Sequence, residues 1–370
     1  MVKVNLKKTV DESYPVAVEA GLSARIPALI ARRYPASRYV IICDRFTAKL
    51  VGKRLAVGLR NKGMKTLLLS IPGGEHSKTR AAKERLEDAM LKAGCDRQSL
   101  VVAVGGGVVG DLAGFVAATY MRGVRYIHVP TTMLAMVDSA IGGKTGVDTR
   151  EGKNLIGAFF QPAAVLADPV LLRALPQRQL MSGLIEAAKM FMTSDRSAFA
   201  YLKKNASSAL SRNPKVLTHI IKRAAGIKAG VVSADEKEAG KRMVLNFGHT
   251  IGHALEKLSD YRIIHGEAVA LGILVEGRIA MNQGVLSRHD YEAIADLLAS
   301  FRTKPETLSR FSPRAVVRAA RGDKKSIGGR ARYVILKKIG AVEVKSGAYA
   351  HSVPEKDVIR ALKEAVLSVH

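Results

Sequence analysis

The spacing of apolar and polar positions divides this chain into two regimes. Up to about residue 170, short β-branched runs alternate with amphipathic stretches, which is the pattern of an α/β layer structure. Strands are predicted over Tyr39–Cys43, Thr66–Ile71, Leu100–Val104 and Tyr126–Val129, with a helix over Ala81–Lys92 closed by Gly94 as a C-cap. Residues 1–8 alternate like a strand and show no signal-peptide core. Beyond Pro176, helical periodicity dominates from Ser182 to Leu298, with loops near Ser194, Asp235 and Tyr261. A strand pair follows near Ala331–Leu336 and Ala341–Lys345, then a last helix from Pro354. A chain of 370 residues is too long for one ordinary core. The expectation is an N-terminal Rossmann-like α/β nucleotide-binding domain over residues 1–172 and a mainly α-helical domain over 173–370, with the active site in the cleft between them.

Leu100 to Met121 is nearly uncharged and is long enough to suggest a membrane span. Three consecutive glycines, 105–107, interrupt it, and Asp111 follows. Glycine disfavours a helix interior, so a buried strand, a tight turn and a buried helix fit better, and no membrane partner is expected. Gly105, Gly107 and Gly110 have the spacing of a dinucleotide phosphate turn between strand and helix. Where an acid would then grip the ribose, the chain reads Val129-Pro130-Thr131-Thr132. Asp44, just after an earlier strand, is the better ribose candidate. Gly142-Gly143-Lys144-Thr145 mimics the end of a triphosphate loop, but Asp138 occupies the position where that loop needs glycine. Lys144 is then a cation on a glycine turn, suited to an anion.

Val244 to Leu258 reads as one helix on which Asn246, His249, His253 and Glu256 share a face. His249 is followed by Thr250, so this is not a metalloprotease helix. His265 opens the next apolar helix, and Glu186 and Lys189 lie one turn apart inside the apolar run 184–192. A carboxylate there is costly unless it is paired or metal-bound. One carboxylate and two imidazoles form an open, catalytic metal pattern. Spacing alone leaves open which two of His249, His253 and His265 supply the nitrogens.

Composition adds two constraints. Cys43 and Cys95 are the two cysteines of the chain, which is no disulfide framework and suits a reducing, cytoplasmic setting. The net charge of +27 attracts anions, but Lys and Arg are spread along the whole chain. A generally basic surface is the simplest reading, and no nucleic-acid partner is expected.

Taken in order, Gly105-Gly106-Gly107-Val108-Val109-Gly110-Asp111, Met121-Arg122-Gly123, Val129-Pro130-Thr131-Thr132, Val137-Asp138-Ser139, Gly142-Gly143-Lys144-Thr145, Gly152-Lys153-Asn154, Leu245–His253 and His265-Gly266-Glu267-Ala268 resemble the 3-dehydroquinate synthases, sugar phosphate cyclases. The resemblance implies zinc or cobalt on Glu186, His249 and His265, and NAD on Asp44, Glu75, Lys78, Gly106, Gly107, Val108, Gly110, Asp111, Thr131, Thr132, Lys144 and Lys153. Asp138, Lys144, Lys189, Lys228, Arg242, Asn246 and His253 would be catalytic. Arg122, Asn154 and Lys324 or Lys325 would hold the substrate phosphate, with Arg122 reaching the neighbouring subunit of a homodimer. The implied reaction converts 3-deoxy-D-arabino-heptulosonate 7-phosphate to 3-dehydroquinate and phosphate by transient NAD oxidation, phosphate elimination, re-reduction and aldol closure. It belongs to the shikimate pathway. The alternatives are another sugar phosphate cyclase, or a metal-dependent polyol or glycerol-phosphate dehydrogenase, which would accumulate NADH.

Overall fold

The computed structural model describes residue 3, residues 11–321 and residues 331–366. The strand expected over residues 1–8 lies outside them apart from Lys3, as do Lys324 and Lys325. The chain forms two units, and both are discontinuous in sequence. The first holds the chain up to Ala17 with Leu22–Pro130 and Gly143–Ala167; the second holds Val18–Gly21, Thr131–Gly142 and everything from Asp168 onward. This partition differs from a linear division at residue 172. Met133 and Leu134 pack against Gly183 of helix Gln177–Ser194, which draws Thr131–Gly142 into the second unit.

The first unit is built on a parallel sheet. Its strands are β1 (Val16–Val18), β2 (Tyr39–Asp44), β3 (Thr66–Ile71), β4 (Leu100–Gly105), β5 (Arg125–Pro130) and β8 (Ala164–Ala167), in the order β1-β8-β5-β4-β2-β3. β2 pairs in parallel with both β3 and β4, and β5 with both β4 and β8. β4 is buried along its whole length, as its unbroken apolar run requires of a strand covered on both faces. Val101 and Ala103 share a core with Val109, Leu112, Ala113 and Val116 of helix Gly107–Thr119. A separate antiparallel hairpin joins β6 (Lys144–Val147) to β7 (Ile156–Phe159). Helix Arg80–Lys92 starts on the Thr79 hydroxyl, which accepts from the Ala82 N–H at 3.1 Å, and ends at Gly94 with φ +66. The chain order reverses between β2 and β4, so the carboxyl ends of these two strands mark the crevice where an open α/β sheet binds ligands.

The second unit is mainly helical. Its central helix, His265–Asn282, packs against helices Gln177–Ser194, His249–Leu258, Arg288–Ser300 and Glu355–Val366. Residues 268–275 of this helix are all buried, as expected of a helix that is apolar all round. The C-terminal strand pair is shorter than its sequence suggests: β9 (Leu336–Lys338) and β10 (Ala341–Val342), with an isolated bridge from Tyr333 to His351. No helix among the described residues is long and apolar enough to cross a membrane.

Candidate active site

Glu186 and Lys189 are 0% and 1% exposed on helix Gln177–Ser194, and the Lys189 Nζ lies 2.6 Å from Glu186 Oε2. Ser182 stands one turn before Glu186 on the same face. The Gly266 N–H donates to the Ser182 hydroxyl at 3.1 Å, and a Cβ at Gly266 would fall 2.4 Å from the Ser182 Cα. This backbone-close crossing places His265, the preceding residue, beside the carboxylate. His265 Nε2 lies 3.5 Å, and His249 Nε2 3.6 Å, from Glu186 Oε1. The three donor atoms all fall within 4.8 Å of one another. Neither Glu186 oxygen accepts a hydrogen bond of ordinary geometry.

The far nitrogens explain which lone pairs face inward. His249 Nδ1 lies 3.2 Å from the Phe247 carbonyl, and His265 Nδ1 lies 3.3 Å from Glu256 Oε2. An Nδ1–H tied to an acceptor leaves Nε2 as the metal-facing atom. Burial alone would push Glu186 up, but the Lys189 ammonium and then His265 outweigh it and hold the carboxyl below its ordinary range. Burial alone would push His265 down; Glu186 and Glu256 reverse this and raise it to about 10. The cluster thus demands positive charge between its carboxylate and its imidazoles. It suits a divalent ion with open coordination positions.

The single helix expected over Val244–Leu258 is broken. A 3-10 turn, Lys241–Asn246, ends at Phe247, Gly248 adopts φ +79, and the helix proper runs His249–Leu258. A glycine in the left-handed region ends one segment and re-aims the next, so Asn246 does not share a helix with the histidines. Its amide donates instead to Glu238 Oε1 at 2.8 Å. His253 remains near the cluster, its ring centroid 5.2 Å from that of His249 and 6.0 Å from that of His265. With Glu256 and His265 it forms a second group of possible donors.

Two buried cations belong to the same unit. Lys228, on helix Pro214–Ala234, bonds Asp138 Oδ1 at 2.6 Å. Burial lowers its pKa more than Asp138 raises it, and Arg242 and Lys189 push in the same direction as burial. Arg242 is 2% exposed and donates to the carbonyls of Glu236 and Gly142. Thr131 is buried, and Thr132 Oγ1 accepts from the Ala135 N–H at 3.2 Å.

In the first unit, Asp44 ends β2, and its Oδ1 accepts from the Phe46 and Thr47 N–H groups at 2.8 Å each. Helix Gly107–Thr119 starts at Gly106 without a side-chain cap. The turn Gly106, Gly107, Val108 therefore offers backbone N–H groups to an anion, whereas the Gly110 N–H is already given to the Gly106 carbonyl at 3.0 Å and Gly110 makes room for the His128 ring. Lys78 is buried and bonds Asp111 Oδ2 at 2.5 Å and the Asn154 side-chain oxygen. Glu75 lies one turn before it, 3.9 Å from the same ammonium. Lys144 is exposed at the start of β6, and Lys153 is half-buried beside exposed Asn154. Arg122 is exposed in a turn where Met121 and Arg122 both have positive φ, 50° and 68°.

Family models described as the N-terminal and C-terminal parts of 3-dehydroquinate synthase match residues 68–182 and 183–326. A 3-dehydroquinate synthase of Desulforamulus reducens is 40% identical over 96% of this chain and 98% of its own length. The chain belongs to the 3-dehydroquinate synthase family. Another member, from Symbiobacterium thermophilum, is 42% identical over 90% of this chain and 94% of its own length. Among solved structures, a 2-deoxy-scyllo-inosose synthase complexed with carbaglucose-6-phosphate, NAD+ and Co2+ matches with a TM-score of 0.85 and 28% identity, over 94% of this chain and 96% of that one. The 2-epi-5-epi-valiolone synthase of Streptomyces hygroscopicus, with NAD+ and Zn2+ bound, matches with a TM-score of 0.87 and 27% identity over 99% of both chains.

Sequence reasoning placed Glu256 on the polar face but gave it no task; the structure hands it His265 Nδ1. Its signal was the spacing of one turn from His253. Glu238, at φ +60, holds Asn246 from a loop with no periodicity. No sequence pattern marked it.

Proposed function

We propose that this chain is a 3-dehydroquinate synthase, a carbon–oxygen lyase that cyclises 3-deoxy-D-arabino-heptulosonate 7-phosphate with loss of phosphate. The observation that carries the reading is the convergence of the Glu186 carboxylate with the Nε2 atoms of His249 and His265, each imidazole tied at its far nitrogen. Those three residues would hold a divalent ion, zinc or cobalt. NAD would lie along the Gly106–Asp111 turn with Asp44, Glu75, Lys78, Thr131, Thr132, Lys144 and Lys153. When bound, the ion supplies a Lewis acid beside the substrate hydroxyls, and the nicotinamide supplies a hydride acceptor that is restored by the end of the cycle.

The chain's own side chains do the rest. Arg242 presents a buried planar guanidinium to the substrate carboxylate, the geometry best matched to it, and Lys228 adds a second cation held by Asp138. Lys189, which steadies Glu186, offers the rest of its ammonium to a substrate hydroxyl. Asn246, aimed by Glu238, and His253 orient the neighbouring hydroxyls, and the half-buried imidazole of His253 carries a proton to or from them. Lys144 and Asn154 hold the phosphate, and Lys324 or Lys325, outside the described residues, joins them. Arg122 serves the phosphate site of a second copy, which makes the enzyme a homodimer.

Incubation with the heptulosonate phosphate, NAD and zinc should release phosphate without accumulating NADH, and a chelator should stop it. Net NADH would instead indicate a dehydrogenase. The likeness to the inosose and valiolone synthases supports a second reading, a cyclase for a substrate without a carboxylate. Buried Arg242 and Lys228 favour the carboxylate, and turnover of a hexose or heptulose phosphate in its place would reverse that choice.

A further inference from the structure

The helix that carries His249 and His253 begins without a cap of its own. Its N-cap residue is Gly248, so no side chain stands where Ser or Asp would accept the first free N–H groups. Glu276, on helix His265–Asn282, fills that role from outside. Its Oε2 accepts from the Gly248 N–H at 2.8 Å, and its Oε1 lies 3.4 Å from the Ile251 nitrogen. These are the N-cap and N3 donors, the pair that a capping box satisfies within a single helix.

The reach follows from how closely the two helices cross. A Cβ at Gly272 would lie 1.9 Å from the Gly248 carbonyl oxygen, and a Cβ at Gly248 would lie 2.6 Å from Ile273 Cγ1. The backbones therefore touch at this point. One turn further along, Glu276 falls over the open helix end. It is 0% exposed, and a buried carboxylate is costly unless bonded. The two N–H groups and the positive end of the helix offset that cost.

Its importance lies in what Gly248 separates. On one side is the Phe247 carbonyl that anchors the His249 ring; on the other is the His249 main chain itself. The N–H that Glu276 grips is the pivot between them. We infer that Glu276 is a positioning residue for the metal centre: it supplies in trans the cap that the Gly248 turn lacks and so fixes His249 Nε2 against Glu186. This rests on the metal reading above.

The test compares Co2+ binding to metal-stripped wild type, H249A, E276Q, E276A and S287A, using chelator competition and the visible Co2+ spectrum. S287A removes the N-cap of helix Arg288–Ser300 and serves as a control for simple loss of stability. Glu276→Gln keeps the size and one acceptor, so it carries the test if E276A does not fold. Glu276 variants should bind Co2+ about tenfold or more weakly, the order typical of outer partners of metal ligands, with an altered spectrum. S287A should melt earlier yet bind as wild type does. Wild-type affinity and spectrum in E276Q, with weak binding by H249A, would overturn this inference alone. Equal Co2+ binding by wild type and H249A would instead overturn the metal reading.

Discussion

Loading the metal should displace a proton from His265. In the metal-free protein the imidazole is raised to about 10 by Glu186 and Glu256, so at neutral pH it carries both protons. Coordination needs a bare Nε2. At pH 7 the ring stands three pH units below its own pKa, and each unit is worth about 1.4 kcal/mol. The displaced proton therefore offsets up to about 4 kcal/mol of intrinsic metal affinity. With its side chain 32% exposed, water screens part of that figure, which makes it a ceiling. The apparent association constant should rise toward tenfold per pH unit between about pH 6 and pH 8.5. Calorimetric Co2+ titrations in two buffers of different ionisation enthalpy should count close to one proton released per ion. Glu256→Gln, which removes one of the two carboxylates raising His265, should move the break in this pH dependence downward. An affinity that stays flat over that range, with no proton released, would refute the argument, because His265 would then be either neutral beforehand or not a ligand.

The same raised pKa carries a stability signature with a definite sign. His265 gains its partners on folding, so its contribution is fully present below the unfolded value of 6.5 and is lost as pH rises through about 10. The difference in Tm between metal-free wild type and H265N should therefore shrink steadily from neutral pH to pH 10, as read by calorimetry. Arg242→Lys keeps the charge but loses the planar fork and its bonds to the Glu236 and Gly142 carbonyls. About 2 kcal/mol of carboxylate binding should go with it, seen as a roughly 30-fold rise in KM for the heptulosonate phosphate. Gly266→Ala would set a Cβ against the Ser182 backbone. It should cost about 1–3 kcal/mol of stability by denaturant melt and weaken Co2+ binding together, since the same crossing aims His265.

How far the sequence could be read depended on whether a residue's role was carried by a period. The β4 strand and the helix after it were legible because an unbroken apolar run must be buried on both faces, and three glycines can only be a turn between them. Glu186 was legible because a carboxylate in an apolar helix needs a partner. Which imidazoles would face it was not, since that choice depends on contacts at the other ring nitrogen. Phe247 offers a carbonyl and Glu256 a carboxylate; spacing sets Glu256 on the polar face but does not tell which ring either acceptor will hold. The Lys241–Leu258 region misled for a related reason. Asn246, His249 and His253 do recur at helical intervals, but Gly248 takes a left-handed turn that periodicity cannot register, because the backbone of another helix presses on it. That pressure comes from Gly272, and the chain's answer to the uncapped end it creates is Glu276, 28 residues away. A helix end capped from a distance leaves no local signature, so the residues that aim a metal centre can stay unseen even where its ligands are plain.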